Sequence, residues 1–81
     1  MLQDMSRNSE DPVFNRIEQA RVAVGLSRQE LADLAGVHYQ TIGYLEREEY
    51  SPSLVLALRI SKVLEQEISE LFSLTPIRKG K

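Results

Sequence analysis

Residues 26–46 read LSRQELADLAGVHYQTIGYLE, which places a tight glycine turn between two short helical stretches. Ser27 and Glu30 have the spacing of a capping box, in which the serine hydroxyl accepts from the Glu30 backbone N–H and the Glu30 side chain reaches back. Gly36 then ends the first stretch, and only Val37 precedes the second. Because two short helices joined by so brief a turn cross at a large angle, this segment predicts a helix-turn-helix.

A first helix is predicted upstream of this segment. Asp11 and Pro12 form a start signal, because Asp is a good N-cap and Pro fits the first helical position. Gly25 is placed to end that helix in a left-handed conformation. The apolar residues between these signals recur at helical spacing and are predicted to face the core: Val13, Ile17, Ala20 and Val24.

Two more helices are predicted downstream. Pro52 interrupts the helical pattern, and Ser53 is the expected cap of a fourth helix. That helix carries two apolar stripes, which are Leu54, Ala57, Leu58, Ser61 and Leu64, and Leu56, Ile60 and Val63. A helix apolar on most sides is covered on most sides. A short fifth helix is indicated by Ile68, Leu71 and Phe72, although Glu67 stands where a Ser or Asp cap is expected.

The predicted elements make one small domain. The inward residues of the second and third helices are Leu31, Leu34 and Ala35, then Ile42 and Leu45. The third helix spans about 38–45, and the whole pattern predicts an all-α fold, a compact five-helix bundle. Residues 12–74 form the helix-turn-helix domain, preceded by a flexible arm, 1–11, and followed by a basic tail, 75–81, that holds Arg78, Lys79 and Lys81.

The composition narrows the classes of function. The chain has no cysteine, which excludes a disulfide framework and a thiolate metal site. A single histidine provides no cluster for catalysis or metal binding, and Glu65, Glu67 and Glu70 are spaced like a solvated helix face. We therefore expect no cofactor, no metal and no enzymatic activity.

The hydrophobicity and the net charge of the chain limit the kinds of partner that it can have. No apolar run approaches the roughly 20 residues needed to cross a bilayer, and the first residues lack the order of a secretion signal. A cytoplasmic protein without a membrane partner is therefore expected. The net charge is -2, from 10 basic and 12 acidic residues, which argues against a strongly electrostatic nucleic-acid binder. A domain can nevertheless aim a few donors at phosphates while acids occupy the far side.

Five segments share the spacing of one known pattern. They are residues 26–32, 35–37, 40–42, 45–46 and 50–54, which read LSRQELA, AGV, QTI, LE and YSPSL. Together they resemble the phage repressor/Cro family of regulators, and the resemblance covers about residues 14–72. It implies a five-helix bundle whose second helix lies across the backbone of double-stranded DNA and whose third helix enters the major groove.

The outward face of the third helix supports that interpretation from the residues themselves. It carries no charge, and its predicted base-reading residues are His38, Tyr39, Gln40, Gly43 and Tyr44. A merely solvated face would more often carry Lys and Glu. Gln40 is suited to pair with adenine, and the tyrosines to contact a phosphate or a thymine methyl. Gly43 costs about 1 kcal/mol relative to Ala, which a close approach of DNA would explain. The alternative is that both tyrosines cover the core and Gly43 relieves crowding.

A second set of residues is predicted to contact phosphates. Arg28 and Gln29 open the second helix, where unpaired N–H groups and the positive end of the dipole form a natural anion site. The remaining predicted phosphate-contacting residues are Thr41, Arg47, Ser51 and Ser53. Such contacts set register rather than choose sequence. For Arg28 the alternative is a solvated surface charge.

The resemblance also implies a structural role for two charged residues, and the sequence departs from the family pattern at other positions. It implies an ion pair between Arg21 and Glu46 that supports the recognition helix. His38 stands where the family usually has a Ser or Thr cap, so that it either caps, reads DNA or does both. Residues 47–49 are Arg-Glu-Glu where the family commonly has Asn-Gly or Arg-Gly. If the backbone there needs a left-handed residue, Glu48 is strained.

Two further interpretations concern protein partners. The fold also occurs in antitoxins and other modules that bind a protein. The acidic stretch 46–49 favours such a protein-interaction module as the alternative function. Against it, the face of the third helix lacks the large aliphatic anchors of such an interface. The apolar excess of the fourth helix, continued by Leu71, Phe72, Leu74 and Ile77, predicts a homodimer through the fourth and fifth helices. The alternative is that the fifth helix closes the core of a monomer.

Overall fold

The computed structural model describes residues 13–77 and contains five helices and two very short strands. In chain order these are β1 (Phe14–Asn15), α1 (Ile17–Ala23), α2 (Arg28–Ala35), α3 (Tyr39–Glu46), α4 (Leu54–Leu64), α5 (Ile68–Leu71) and β2 (Phe72–Ser73). The predicted five-helix fold is confirmed, and the antiparallel pair of strands is an addition to it. The expected arm and most of the basic tail lie outside the described residues.

The start of the first helix was predicted too early. Asp11 and Pro12 lie outside the described residues, but residues 14 and 15 form β1, and the helix begins at Ile17. The strands pair Phe14 with Ser73 and Asn15 with Phe72, which closes the two ends of the domain against each other. The predicted placement of Phe72 in the fifth helix is wrong for the same reason. These backbone groups are satisfied by the ladder rather than by helix extension.

The core is one cluster to which all five helices contribute. Its largest fully buried side chains are Ile17, Leu31, Ile42, Leu45, Ile60, Leu64 and Leu71. Helical periodicity predicted all of these as inward except Leu71, which was assigned to the contact between subunits. Leu71 is 0% exposed and Phe72 packs against the same cluster, so these two residues close the core of the domain instead. The packing of α2 against both α3 and α4 places the helix-turn-helix directly on this cluster, so that the position of α3 depends on the stability of the whole domain.

Several residues predicted to face the core are exposed instead. They are Val24, Leu34, Leu54 and Leu58, and Val55 is exposed beside them. In α2 the buried side chains are Leu31, Ala32 and Ala35. With a step of about 100° per residue, Leu34 lies outside that narrow arc. In α4 the buried arc is set by Leu56, Ala57, Ile60 and Leu64, which leaves the rest of its apolar surface uncovered.

The helix ends follow the local chemistry of the sequence. Ser27 Oγ accepts from the Glu30 N–H at 3.0 Å, and the Ser27 N–H donates to Glu30 Oε1 at 2.8 Å, so the predicted capping box is present. Ser53 caps α4 as expected. Glu67 makes no side-chain cap bond, which agrees with the weak start predicted for α5. Within the described residues, no helix is long and apolar enough to cross a membrane.

Candidate nucleic-acid interface

The turn between α2 and α3 sets the direction of α3. Gly36 has φ 77°, in the left-handed region that favours glycine. Ala32 O accepts from the N–H groups of both Gly36, at 2.8 Å, and Val37, at 3.0 Å, which closes the end of α2. His38 follows in extended conformation at the N-cap of α3 but makes no side-chain cap bond. Its exposed imidazole is therefore not a capping group.

The two faces of α3 differ sharply in burial. Ile42, Leu45 and Glu46 are buried against the domain. Tyr39 and Tyr44 are 49% and 47% exposed, and Gln40 is exposed between them. The alternative in which the tyrosines cover the core is thus wrong. Because these side chains have hydrogen-bonding tips and reach solvent, they form a polar strip on the outside of the domain.

A cleft of about 210 Å³ opens along this strip. It is lined by Arg28, Tyr39, Gln40, Gly43, Tyr44 and Arg47. The structure thus brings together most of the predicted base-reading residues with two of the predicted phosphate contacts. Gly43 is buried, contrary to its expected outward position, because the Arg47 side chain folds over it. The cleft therefore has a glycine floor and an arginine at each of two borders.

A buried carboxylate lies behind the cleft and joins three helices. Glu46, whose side chain is 1% exposed, bonds Arg21 Nε at 2.6 Å and Arg28 Nε at 2.8 Å. Arg21 also donates from Nη2 to Glu46 Oε1 at 3.3 Å and from Nη1 to Leu26 O at 2.9 Å. The geometry places Arg21 and Glu46 as the resemblance implied. The third member, Arg28, was not foreseen, because residues 18 apart on different helices give no local signal.

Glu46 also affects the pKa and the position of the Arg28 guanidinium. Its hydrogen bond and its negative charge raise the pKa of the Arg28 guanidinium above the ordinary value. The Arg28 side chain is 39% exposed, and its hydrogen bond to Glu46 engages Nε. It is thus neither a purely solvated charge nor a buried one. An arginine fixed in this way presents a planar fork at the border of the cleft.

The other predicted phosphate contacts lie outside the cleft. Gln29 donates to Asp33 Oδ1 at 2.9 Å on the exposed side of α2. Ser53 Oγ accepts from the Leu56 N–H at 3.1 Å, so its hydroxyl caps the N-terminus of α4. Thr41 is half-buried, and Ser51 is exposed in the loop before α4. These residues surround α3 but do not converge on one point.

Asn15 is a structural residue that the sequence analysis missed. It is 4% exposed, its Nδ2 donates to Leu45 O at 2.7 Å, and its Oδ1 accepts from the Ile17 N–H at 3.0 Å. It therefore joins the start of α1 to the end of α3. An Asn just before a helix is a capping signal, which the stronger Asp-Pro signal upstream obscured.

The loop after α3 has the strain that was anticipated. Glu48 has φ 63°, a left-handed conformation that disfavours a non-glycine residue. Its carboxylate accepts from the Asn15 N–H at 3.1 Å. Glu48 thus gives the loop a contact that glycine would lack. Arg47 and Glu49 flank it and are 3.3 Å apart, from Nε to Oε2.

Sequence comparison connects most of the chain with a known family. The sequence model described as Helix-turn-helix matches residues 17–71. A protein of Methanothermobacter thermautotrophicus, named an uncharacterized HTH-type transcriptional regulator, is 48% identical over 59 residues, which cover 72% of this chain and 86% of that protein. A protein of Archaeoglobus fulgidus with the same name is 42% identical over 57 residues, which cover 70% and 81%.

Solved structures with the same fold agree with this assignment. The restriction-modification controller protein C.AhdI from Aeromonas hydrophila is 35% identical with a TM-score of 0.63, covering 67% of this chain and 82% of that one. The N-terminal DNA binding domain of SinR from Bacillus subtilis is 35% identical with a TM-score of 0.61, covering 65% and 78%. The chain therefore belongs to the helix-turn-helix family of transcriptional regulators, of the phage repressor/Cro type.

Proposed function

We propose that the protein binds specific sequences of double-stranded DNA by placing α3 in the major groove. The observation that carries this function is the exposed polar strip of α3 with its cleft, backed by a buried ion cluster that fixes the helix. A major groove about 12 Å wide admits one helix, and uncharged side chains with donor and acceptor groups read base edges there. The names of C.AhdI as a controller protein and of SinR as a DNA-binding domain support the same activity.

The contacts divide into base reading and positioning. Gln40 is at the centre of the exposed strip and has the amide that pairs bidentately with adenine. Tyr39, Tyr44 and His38 extend the contact on either side. Arg28, with its fork open to solvent, bonds a backbone phosphate, and Gln29, Thr41, Ser51 and Ser53 add weaker contacts around it. Glu46 cancels part of the positive charge of this face, so non-specific affinity is low.

A homodimer is proposed from the uncovered apolar surface of α4. Leu54 and Leu74 are 69% and 72% exposed, and Val55 and Leu58 are more than half exposed. An apolar surface of this kind on a small domain marks an interaction site. A second copy across a two-fold axis would cover it and place two α3 helices about 34 Å apart, in successive major grooves of a palindromic site.

The same apolar surface favours a second candidate, a protein-interaction module such as an antitoxin. In that case a different protein would cover Leu54, Val55 and Leu58. Light scattering after gel filtration separates the two. The homodimer predicts twice the chain mass, and a monomer after Leu58→Lys. A monomeric parent at high concentration would contradict the homodimer and favour the second candidate.

Selection from a pool of random duplexes tests the DNA-binding function. The protein is expected to enrich one palindromic sequence, with an affinity that falls as salt rises. Arg28→Ala is expected to weaken all duplexes alike and to reduce the salt slope by about one unit, because it removes one phosphate contact. A matched control is Lys62→Ala, since Lys62 is exposed on α4 and does not line the cleft. If the folded protein enriches no duplex, the proposed function is wrong.

A further inference from the structure

The side chain of Arg47 lies along the outer face of α3 instead of extending away from the loop. Its guanidinium carbon is 5.3 Å from the centre of the Tyr44 ring, a distance at which a cation is attracted to an aromatic face. Arg47 is the C-cap residue of α3, so its backbone lies beyond the strip while its charged group lies within it. The guanidinium therefore borders the same cleft as Gln40.

Gly43 makes this position available. A Cβ on residue 43 would stand 3.3 Å from Arg47 Nη1, closer than side chains normally pack. Residues 43 and 47 are one turn apart on the same face, so the glycine leaves a recess in which the Arg47 side chain lies. The mid-helix glycine is thereby explained within the protein, without a direct approach of DNA to its backbone.

Both arginines of the cleft have a carboxylate beside Nε, although that of Arg28 is buried and hydrogen-bonded and that of Arg47 is exposed. Arg47 Nε faces Glu49 Oε2 at 3.3 Å, and Arg28 Nε faces Glu46 Oε1 at 2.8 Å. No described residue accepts a hydrogen bond from Nη1 or Nη2 of Arg47, so the two terminal nitrogens are open to a ligand. The recess at Gly43, the Tyr44 ring and the exposed Glu49 carboxylate together orient this guanidinium along the outer face of α3.

The geometry points to Arg47 as a base-reading residue that recognises the O6 and N7 acceptors of a guanine, with Gly43 and Tyr44 as the residues that position it. This inference rests on the proposed function and changes the role of Arg47 within it. A phosphate can be bound by a mobile point charge, whereas an oriented planar fork meets the two acceptors of a guanine with two N–H donors at once. Arg47 is oriented, and it lies beside Gln40, the residue best suited to read the neighbouring base.

Arg47→Lys distinguishes base reading from phosphate contact, because lysine keeps the charge but lacks the fork. The duplex selected by the parent protein is synthesised with each base replaced in turn, and affinities are measured for the parent and for Arg47→Lys, Arg47→Ala and Gly43→Ala. Lys62→Ala, an exposed change on α4 outside the cleft, is the control. Circular dichroism verifies that each variant is folded.

The expected result is confined to one position of each half-site. The parent should prefer guanine there by about 5- to 150-fold, and both Arg47 variants should lose that preference while keeping the others. Gly43→Ala should give an intermediate preference because its methyl shifts the guanidinium, and Lys62→Ala should keep the full value. A uniform loss of affinity in Arg47→Ala, with an unaltered base preference in Arg47→Lys, would overturn this inference and leave the proposed function intact. Failure of the parent to select any duplex would overturn both.

Discussion

The inner and outer faces of α3 are built for different tasks. On the inner face, Ile42, Leu45 and Glu46 are buried and tied to three other elements by packing, by ion pairs and by the amide of Asn15. On the outer face, Tyr39 and Gln40 are exposed and carry no structural contact of comparable strength. From this difference we infer that the inner face fixes the helix and that the outer face is available to a ligand. Substitutions on the inner face should therefore change stability, and those on the outer face should change binding.

The largest effect is expected for Glu46→Ala. It leaves Arg21, which is largely buried, without its carboxylate, and removal of one partner from a buried pair costs about 3–5 kcal/mol. Urea denaturation followed by circular dichroism measures the loss. Glu49→Ala is the matched control, since its ion pair with Arg47 is more than half exposed and should contribute less than about 1 kcal/mol. Equal losses in both variants would contradict the division between faces.

Asn15→Ala should have the next largest effect on stability. It removes two buried hydrogen bonds and leaves the Ile17 N–H unsatisfied, although Leu45 O still accepts from the Glu48 N–H, and the loss costs about 1–3 kcal/mol. Because Leu45 is near the end of α3, the same change should loosen that end and speed hydrogen exchange of its amides. A variant as stable as the parent would show that the contact between α1 and α3 is dispensable.

The parts of this architecture that the sequence predicted are those with local signals. The Ser27 and Glu30 capping box and the Gly36 turn each lie within a few residues, and helical periodicity identified six of the seven largest fully buried side chains, Leu71 being the exception. The pairing of Phe14–Asn15 with Phe72–Ser73 was missed, because a two-residue strand is too short to show alternation and its partner is at the other end of the domain. The bond between Arg28 and Glu46 and the fold of Arg47 over Gly43 depend on tertiary geometry, which spacing alone does not give.

On the outer face, Gln40→Ala should change the preference for DNA bases without changing the stability of the fold. Loss of the bidentate amide should relax the preference at one base position by about 1–3 kcal/mol. The free energy of unfolding should stay within about 0.5 kcal/mol of the parent, as for other exposed substitutions. Binding measured on the selected duplex and its single-base variants gives the first quantity, and urea denaturation the second. A large loss of stability would mean that Gln40 belongs to the inner face.

The smallest effect on stability is expected for Gly43→Ala. This variant tests whether residue 43 belongs to the inner or to the outer face of α3. Alanine is favoured over glycine inside a helix by up to about 1 kcal/mol, and its methyl meets only Nη1 of Arg47, which must shift by a few tenths of an ångström. The variant should therefore be slightly more stable than the parent in thermal denaturation. A lower melting temperature would indicate that residue 43 is packed against the domain rather than under the arginine.

The central claim is that the outer face of α3 contacts DNA, and nuclear magnetic resonance tests it most directly. The ¹⁵N-labelled protein is titrated with the duplex that it selects, and the change in each amide signal is recorded. The account predicts the largest changes at residues 39–44 and at Arg28 and Arg47, whereas the buried residues of α4 change little. Binding of the duplex with no change in the α3 signals would contradict it.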